Sequence, residues 1–222
     1  MEQNMPKLGI VLMAAVIAAY LGVWGTPAFA KPALVEVTGQ TQCFDTSGTL
    51  IDCSSAAGTG QDGDIQAGVP FPTPRFSDKK DGTVKDNLTN LIWLKNANCS
   101  TISPAATWAT ALSNANSLAN GQCGLSDGSV AGDWRLPNVK ELQSLIDFGF
   151  LNPALSNAAG TAQWTEGDAF SGVQSDLYWS STTRLNFLDS AWDVNLGDGV
   201  TLANFKAPTN TLFVWPVRGK AK

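Results

Sequence analysis

The chain has 222 residues, 14 Lys+Arg against 19 Asp+Glu for a net charge of −5, and no histidine. Without histidine it can assemble no Ser–His–Asp or Cys–His nucleophile pair, no His-ligated zinc or haem and no phosphohistidine relay. Its acidic balance and lack of basic runs make a poor counter-surface for phosphates, so nucleic acid is not an expected partner.

Residues 1–30 stand apart from the rest. Leu8 to Val23 is a run of 16 residues without a charge, and Ala28-Phe29-Ala30 has the small-x-small form of a signal-peptidase site. The run is shorter than the about 20 apolar residues that cross a bilayer comfortably. The segment therefore reads as a signal peptide cleaved after Ala30, an uncleaved anchor being the alternative. No Cys follows it to carry a lipid. The expectation is an exported protein, periplasmic, on the cell surface or secreted, with no stable membrane span after cleavage.

Export permits oxidation of the four cysteines, Cys43, Cys53, Cys99 and Cys123. Four cysteines allow three pairings, and local sequence favours Cys43–Cys53 and Cys99–Cys123. The first pair flanks the turn-forming Asp45-Thr46-Ser47-Gly48 and would staple a hairpin. Zinc is the competing use, but there is no CxxC spacing and no histidine to complete a site.

Residues 31–74 read as an N-terminal extension: the stapled hairpin, a stretch of small and turn-forming residues at 54–68, and a stiff linker with Pro70, Pro72 and Pro74. Asp62-Gly63-Asp64 invites a calcium reading but lacks the later ligands and closing Glu of an EF-hand, so a polar loop is the plainer reading. No cofactor is expected, with calcium as the alternative.

Residues 75–222 form the main domain. Short strands are predicted around Arg75-Phe76, Thr83-Val84 and Leu91 to Leu94, separated by Asp-Gly and Asn-rich turns. A first helix is predicted from the Ser103-Pro104 cap, with Trp108, Leu112, Ala115 and Ala119 on one stripe. A second starts at Asn138, with Glu141 completing a capping box, and runs to Gly149. Residues 149–176 are a long irregular loop of a length that is usually functional or disordered. Strands resume at Tyr178 to Thr183 and Ala191 to Leu196, where Asp193 and Asn195 take the face opposite Trp192 and Val194. Leu212 to Arg218 closes the chain. That order predicts an α+β domain with two helices packed on a sheet.

Most of the tryptophans are predicted to be core, because large aromatics dominate packing in small domains. Trp164 differs, lying in the long loop beside Glu166 and Asp168. An exposed Trp next to carboxylates suits a glycan or a protein surface. Trp164, Glu166 and Asp168, joined by the strand-face residues Asp193 and Asn195, are therefore the expected recognition surface. The alternative is that Trp164 folds back to plug the loop.

Four motifs in order, FSDKKDGTVKDNLTNLIW at 76–93, DWRLPNVKELQSL at 133–145, YWSST at 178–182 and VWPVRG at 214–219, resemble the Lcl C-terminal domain family, named after a Legionella collagen-like adhesin. The similarity spans about residues 75–219. The Trp-Arg-Leu-Pro entry is also similar to formylglycine-generating and C-type-lectin-like domains. The resemblance implies a C-type-lectin-like fold, with helices on a twisted, mostly antiparallel sheet and a ligand-bearing long loop. It implies binding, of sulfated polysaccharide in the adhesin, and self-association into a homo-oligomer, rather than catalysis. Sulfated ligands call for a cationic surface, and this chain carries four Arg and a net charge of −5. The expected function is a non-enzymatic module binding glycan or an extracellular surface protein. A glycoside hydrolase using Glu166 with Asp168, or Asp193 with Asp198, is the enzymatic alternative. A structural envelope or assembly protein is the third reading.

Overall fold

A computed structural model describes residues 35–102 and 104–219. The proposed leader at 1–30, the first residues of the extension and Ser103 lie outside the described residues. The chain from 35 onward belongs to one compact unit.

Strands β1 (Cys43–Phe44) and β2 (Leu50–Ile51) form the N-terminal hairpin. Its turn is organised by Asp45, whose Oδ1 accepts the backbone N–H groups of Ser47 and Thr49. Cys43 and Cys53 are disulfide-bonded across it, as are Cys99 and Cys123 in the domain. Asp62-Gly63-Asp64 does not form an open loop: it starts the one-turn helix α1 (Asp62–Ile65).

Strands β3 (Phe76–Asp78), β4 (Thr83–Asp86) and β5 (Ile92–Leu94) follow as antiparallel neighbours. The β3–β4 turn needs Gly82, which has φ +84°, and a Cβ there would strike the Gly124 carbonyl. The Asp residues of this region do turn chemistry: Asp81 accepts from Thr83 N–H and Asp86 from Leu88 N–H.

The first predicted helix begins later than its Ser-Pro signal. Pro104 is followed by strand β6 (Ala105–Ala106), and helix α2 (Trp108–Ser117) is capped by the Thr107 side chain. Pairing of β6 with a distant strand overrides the local cap signal. Helix α3 (Val139–Gln143) starts at Asn138 with both halves of the capping box in place, but it ends at Ser144 instead of running to Gly149. Leu142, Leu145 and Ile146 are buried as their spacing required.

After the long loop come β7 (Leu177–Thr183), β8 (Ser190–Asn195) and β9 (Thr201–Phe205), an antiparallel meander. The closing run is two strands, not one. Strand β10 (Leu212–Phe213) pairs with β6 and runs parallel to β7, and beyond Pro216 strand β11 (Val217–Arg218) pairs with β5. Besides the hairpin, the strands thus form two sheets, of order β6-β10-β7-β8-β9 and β11-β5-β4-β3, and helices α2 and α3 pack on the first. This is an α+β architecture of mostly antiparallel strands with few helices.

Trp93, Trp134, Trp179 and Trp215 are wholly buried. Trp215 is the hub: its ring centroid lies 4.9 Å from Phe170 and 5.6 Å from both Trp93 and Tyr178. Its indole N–H donates to the Leu94 carbonyl at 2.8 Å, so the polar end is satisfied inside the core.

Candidate functional site

Of the five expected recognition residues, two, Trp164 and Asp193, are buried. Trp164 is 8% exposed and belongs to the core cluster, so its ring faces offer nothing to a ligand. The loop is anchored there, since Trp164 N–H donates to Leu155 and Gln163 pairs with Ser156. Sequence marks an aromatic in a polar loop but not which way it turns, and burial of a large ring outweighs the polarity of its neighbours.

Glu166 accepts the Gly172 N–H, and Asp168 accepts the Ala158 N–H, so both carboxylates organise the loop. Asp193 is fully buried on β8 instead of lying on a polar strand face. Its Oδ2 accepts from Asn204 at 3.0 Å, while its Oδ1 has no partner among the described residues. Burial pushes its carboxyl up to about 6 against the opposing hydrogen bonds from Asn204. Asn195 accepts Gly197 N–H and shapes the β8–β9 turn. None of the five lines either of the two cavities described next.

The first cavity, about 410 Å³, lies between the N-terminal segment and the start of the long loop. Its size falls within the range of small-molecule sites, roughly 300–1,000 Å³. Thr38, Gln40 and Phe71 come from one side, and Asp147, Phe150 and Thr161 from the other. Phe148 N–H donates to the Thr38 carbonyl at 2.7 Å and joins the two walls. Asp147 is the sole charged residue of the lining and is 3% exposed. Its Oδ1 accepts the Gly149 N–H at 2.9 Å, and its Oδ2 accepts no hydrogen bond among the described residues. Burial raises its carboxyl above the ordinary range, while the Gly149 N–H and the charge of Arg75 pull it down.

Arg75, which was expected only to start a strand, is completely buried and supports this region. Its Nε donates to Asp86 at 3.0 Å and its Nη2 to the Ser144 carbonyl. Its guanidinium lies 4.5 Å from the Phe71 ring and 4.9 Å from that of Phe76. The Phe71…Arg75-Phe76 spacing was the available sequence signal. Asp147 had none, because what marks it is a neighbour about 100 residues away in sequence.

The second cavity, about 460 Å³, includes Asp78, Lys80, Lys95 and Asn96. Asp78 is held well below the usual carboxylate range: burial alone would raise it, but hydrogen bonds from Lys80 and Lys95 outweigh that. Two Lys against one Asp leave this lining a net charge of +1, with both ammonium groups turned onto Asp78. Among the described residues no cluster of three or more Cys, Asp or Glu is placed to hold a metal ion, and no helix is long and apolar enough to cross a membrane.

The family-like motifs pack against one another. Trp134 is buried, Arg135 grips Glu141 bidentately at 2.6 and 2.7 Å, and that same Glu141 closes the capping box. The Arg135 backbone pairs with Val217, which binds DWRLPN to VWPVRG. A family model described as the Lcl C-terminal domain matches residues 82–218. The chain belongs to the Lcl C-terminal domain family. No curated protein and no solved structure was found that matches it.

Proposed function

We propose that this chain is an exported, non-enzymatic binding module with a C-type-lectin-like arrangement, recognising a glycan or another extracellular ligand. The observation that carries the reading is the 410 Å³ cavity with a buried, half-unpartnered carboxylate among threonines, two glutamines and phenylalanine rings. Such a lining, apolar surface with a few placed polar groups, is what small-molecule recognition uses. The long loop contributes through Phe150 and Thr161, so the role expected for it moves from Trp164 to its first half. The lining holds one carboxylate, whereas glycoside hydrolysis in its usual form works with two. The two disulfides suit an oxidising compartment beyond the cytoplasm.

A glycan array probed with the full chain, with calcium and with EDTA, tests the reading. Binding to at least one class of glycan supports it, and loss of that binding in EDTA would bring in calcium. Absence of binding across glycans and extracellular-surface proteins sinks it. Mass spectrometry of the protein from its native host tests export, with Lys31 expected as the first residue. Sedimentation velocity tests self-association.

A further inference from the structure

We propose that the 410 Å³ cavity takes a neutral, hydroxyl-rich ligand on the free carboxylate oxygen of Asp147, rejects sulfated and carboxylated sugars, and owes that choice to residues 37–71. The proposal rests on the binding reading above and specifies its ligand class and its selecting wall.

A carboxylate removed from water needs hydrogen-bond donors around both oxygens. Asp147 has one, the Gly149 N–H; its second oxygen accepts none among the described residues and is not among the buried unpaired atoms, so it stays open to the cavity that the residue lines. A ligand hydroxyl donating there completes the shell. An anion would instead meet negative charge with no cation to offset it, for no Lys or Arg lines the cavity. The guanidinium that acts on Asp147 belongs to Arg75, which is buried and does not line the cavity; its Nε and Nη2 are held by Asp86 and the Ser144 carbonyl, and its Nη1 has no partner among the described residues. The side chains of Gln40, Thr41 and Thr161 make no hydrogen bonds among the described residues, so they are available both to donate to and to accept from ring hydroxyls.

The N-terminal wall is made for this carboxylate. Gly39 has φ +87°, and a Cβ on it would overlap Asp147 Oδ1. Only glycine both adopts that backbone conformation without strain and lets the segment lie against the carboxylate. Residues 37–71 precede the family-matched region at 82–218, so the selecting wall lies outside that region.

The test uses the full chain in calorimetric titrations against cello-, xylo-, manno- and chito-hexaose as neutral probes, and dextran sulfate as the anionic one. The parent is expected to bind at least one neutral hexaose and to leave dextran sulfate free. Asp147→Asn keeps the shape but presents an amide N–H in place of an acceptor oxygen, and should weaken the neutral ligand by about ten-fold or more with its Tm nearly unchanged. Gly39→Ala should weaken it too, and if that variant does not fold, Asp147→Asn still decides. Unchanged hexaose affinity in Asp147→Asn overturns the inference and leaves the binding reading standing. Tight dextran sulfate binding by the parent overturns it as well. Binding to no glycan probe, and to no extracellular-surface protein on the array, removes both.

Discussion

Between Phe76 and Val217 the chain buries four tryptophans completely, whereas from Val35 to Pro74 the apolar side chain of Cys43 alone is buried. In that first segment Val35, Phe44, Leu50 and Ile65 remain exposed. It is held by a disulfide, by turns closed on Asp45 and Asp52, and by a few bonds to the domain such as Phe148 N–H to Thr38. The domain is stabilised by removal of apolar surface from water, which acts cooperatively across the whole fold. The segment depends on local crosslinks and hydrogen bonds, each worth about 1 kcal/mol net. A wall held in this way can open while the domain stays folded, and it is the wall that completes the first cavity.

The comparison breaks first at Trp215. Replacement by Ala removes the ring that touches Phe170, Trp93 and Tyr178, and orphans the Leu94 carbonyl. The expected cost is about 3–5 kcal/mol in urea unfolding followed by tryptophan fluorescence. A loss under 1 kcal/mol would show that the aromatic cluster is not the source of domain stability.

The two disulfides sharpen the contrast. Each closes a loop short enough that the crosslink contributes about 3 kcal/mol through the unfolded chain. Cys99 sits inside the core cluster, so Cys99→Ser/Cys123→Ser should lower global unfolding by about that amount. Cys43→Ser/Cys53→Ser should change global unfolding by less than about 1 kcal/mol, because the segment can open locally. It should instead expose the bonds near 44–60 to limited proteolysis. Equal effects of both pairs on the global transition would mean that segment and domain unfold as one unit.

A third test concerns pH. In the folded protein the Asp193 carboxyl is pushed up to about 6 from 3.8. Because the folded value is the higher one, the folded state is favoured below pH 4, and that advantage is lost as pH rises through about 6. The parent should therefore lose on the order of 2–3 kcal/mol relative to Asp193→Asn between pH 4 and 7. Asp147 shifts in the same direction, and Asp45, Asp52 and Asp78 in the opposite one, so the difference between parent and variant is what isolates Asp193. Parallel pH curves for the two proteins would refute the assignment.

What could be read from sequence were features whose cause lies within a few residues. Asn138 and Glu141 announce their capping box, Asp81-Gly82 its turn, and Cys43 with Cys53 the hairpin between them. The features that escaped depend on partners far along the chain. Ala105–Ala106 became a strand because Leu212–Phe213 lies beside it, and Leu212 to Arg218 split between sheets because β7 and β5 each claim one end. Polar neighbours point Asp193 outward and leave Trp164 open between a ligand contact and a plug of its loop; both are buried, Trp164 as the plug. The cavity joins residues 37–71 to 147–161, a juxtaposition that no local pattern encodes.

The smallest effect separates two lysines on one carboxylate. Asp78 Oδ2 meets Lys80 at 2.8 Å and Lys95 at 2.7 Å, but the Lys80 side chain is 82% exposed and that of Lys95 32%. Lys80 must be immobilised from solvent to make its bond, and salt screens it, so Lys80→Ala should cost at most a few tenths of a kcal/mol. Lys95 starts from a fixed position: its N–H donates to Gly82 and its carbonyl accepts Ser171 N–H. Less freedom is lost when its ammonium reaches Asp78, so Lys95→Ala should cost more, up to about 1 kcal/mol. Denaturation at low and at 0.5 M salt, with concentration chosen to exceed the roughly 10 Å screening regime of 0.1 M, should remove most of the Lys80 effect and less of the Lys95 effect. Equal costs with equal salt dependence would show that the backbone anchors around Lys95 do not organise its side chain.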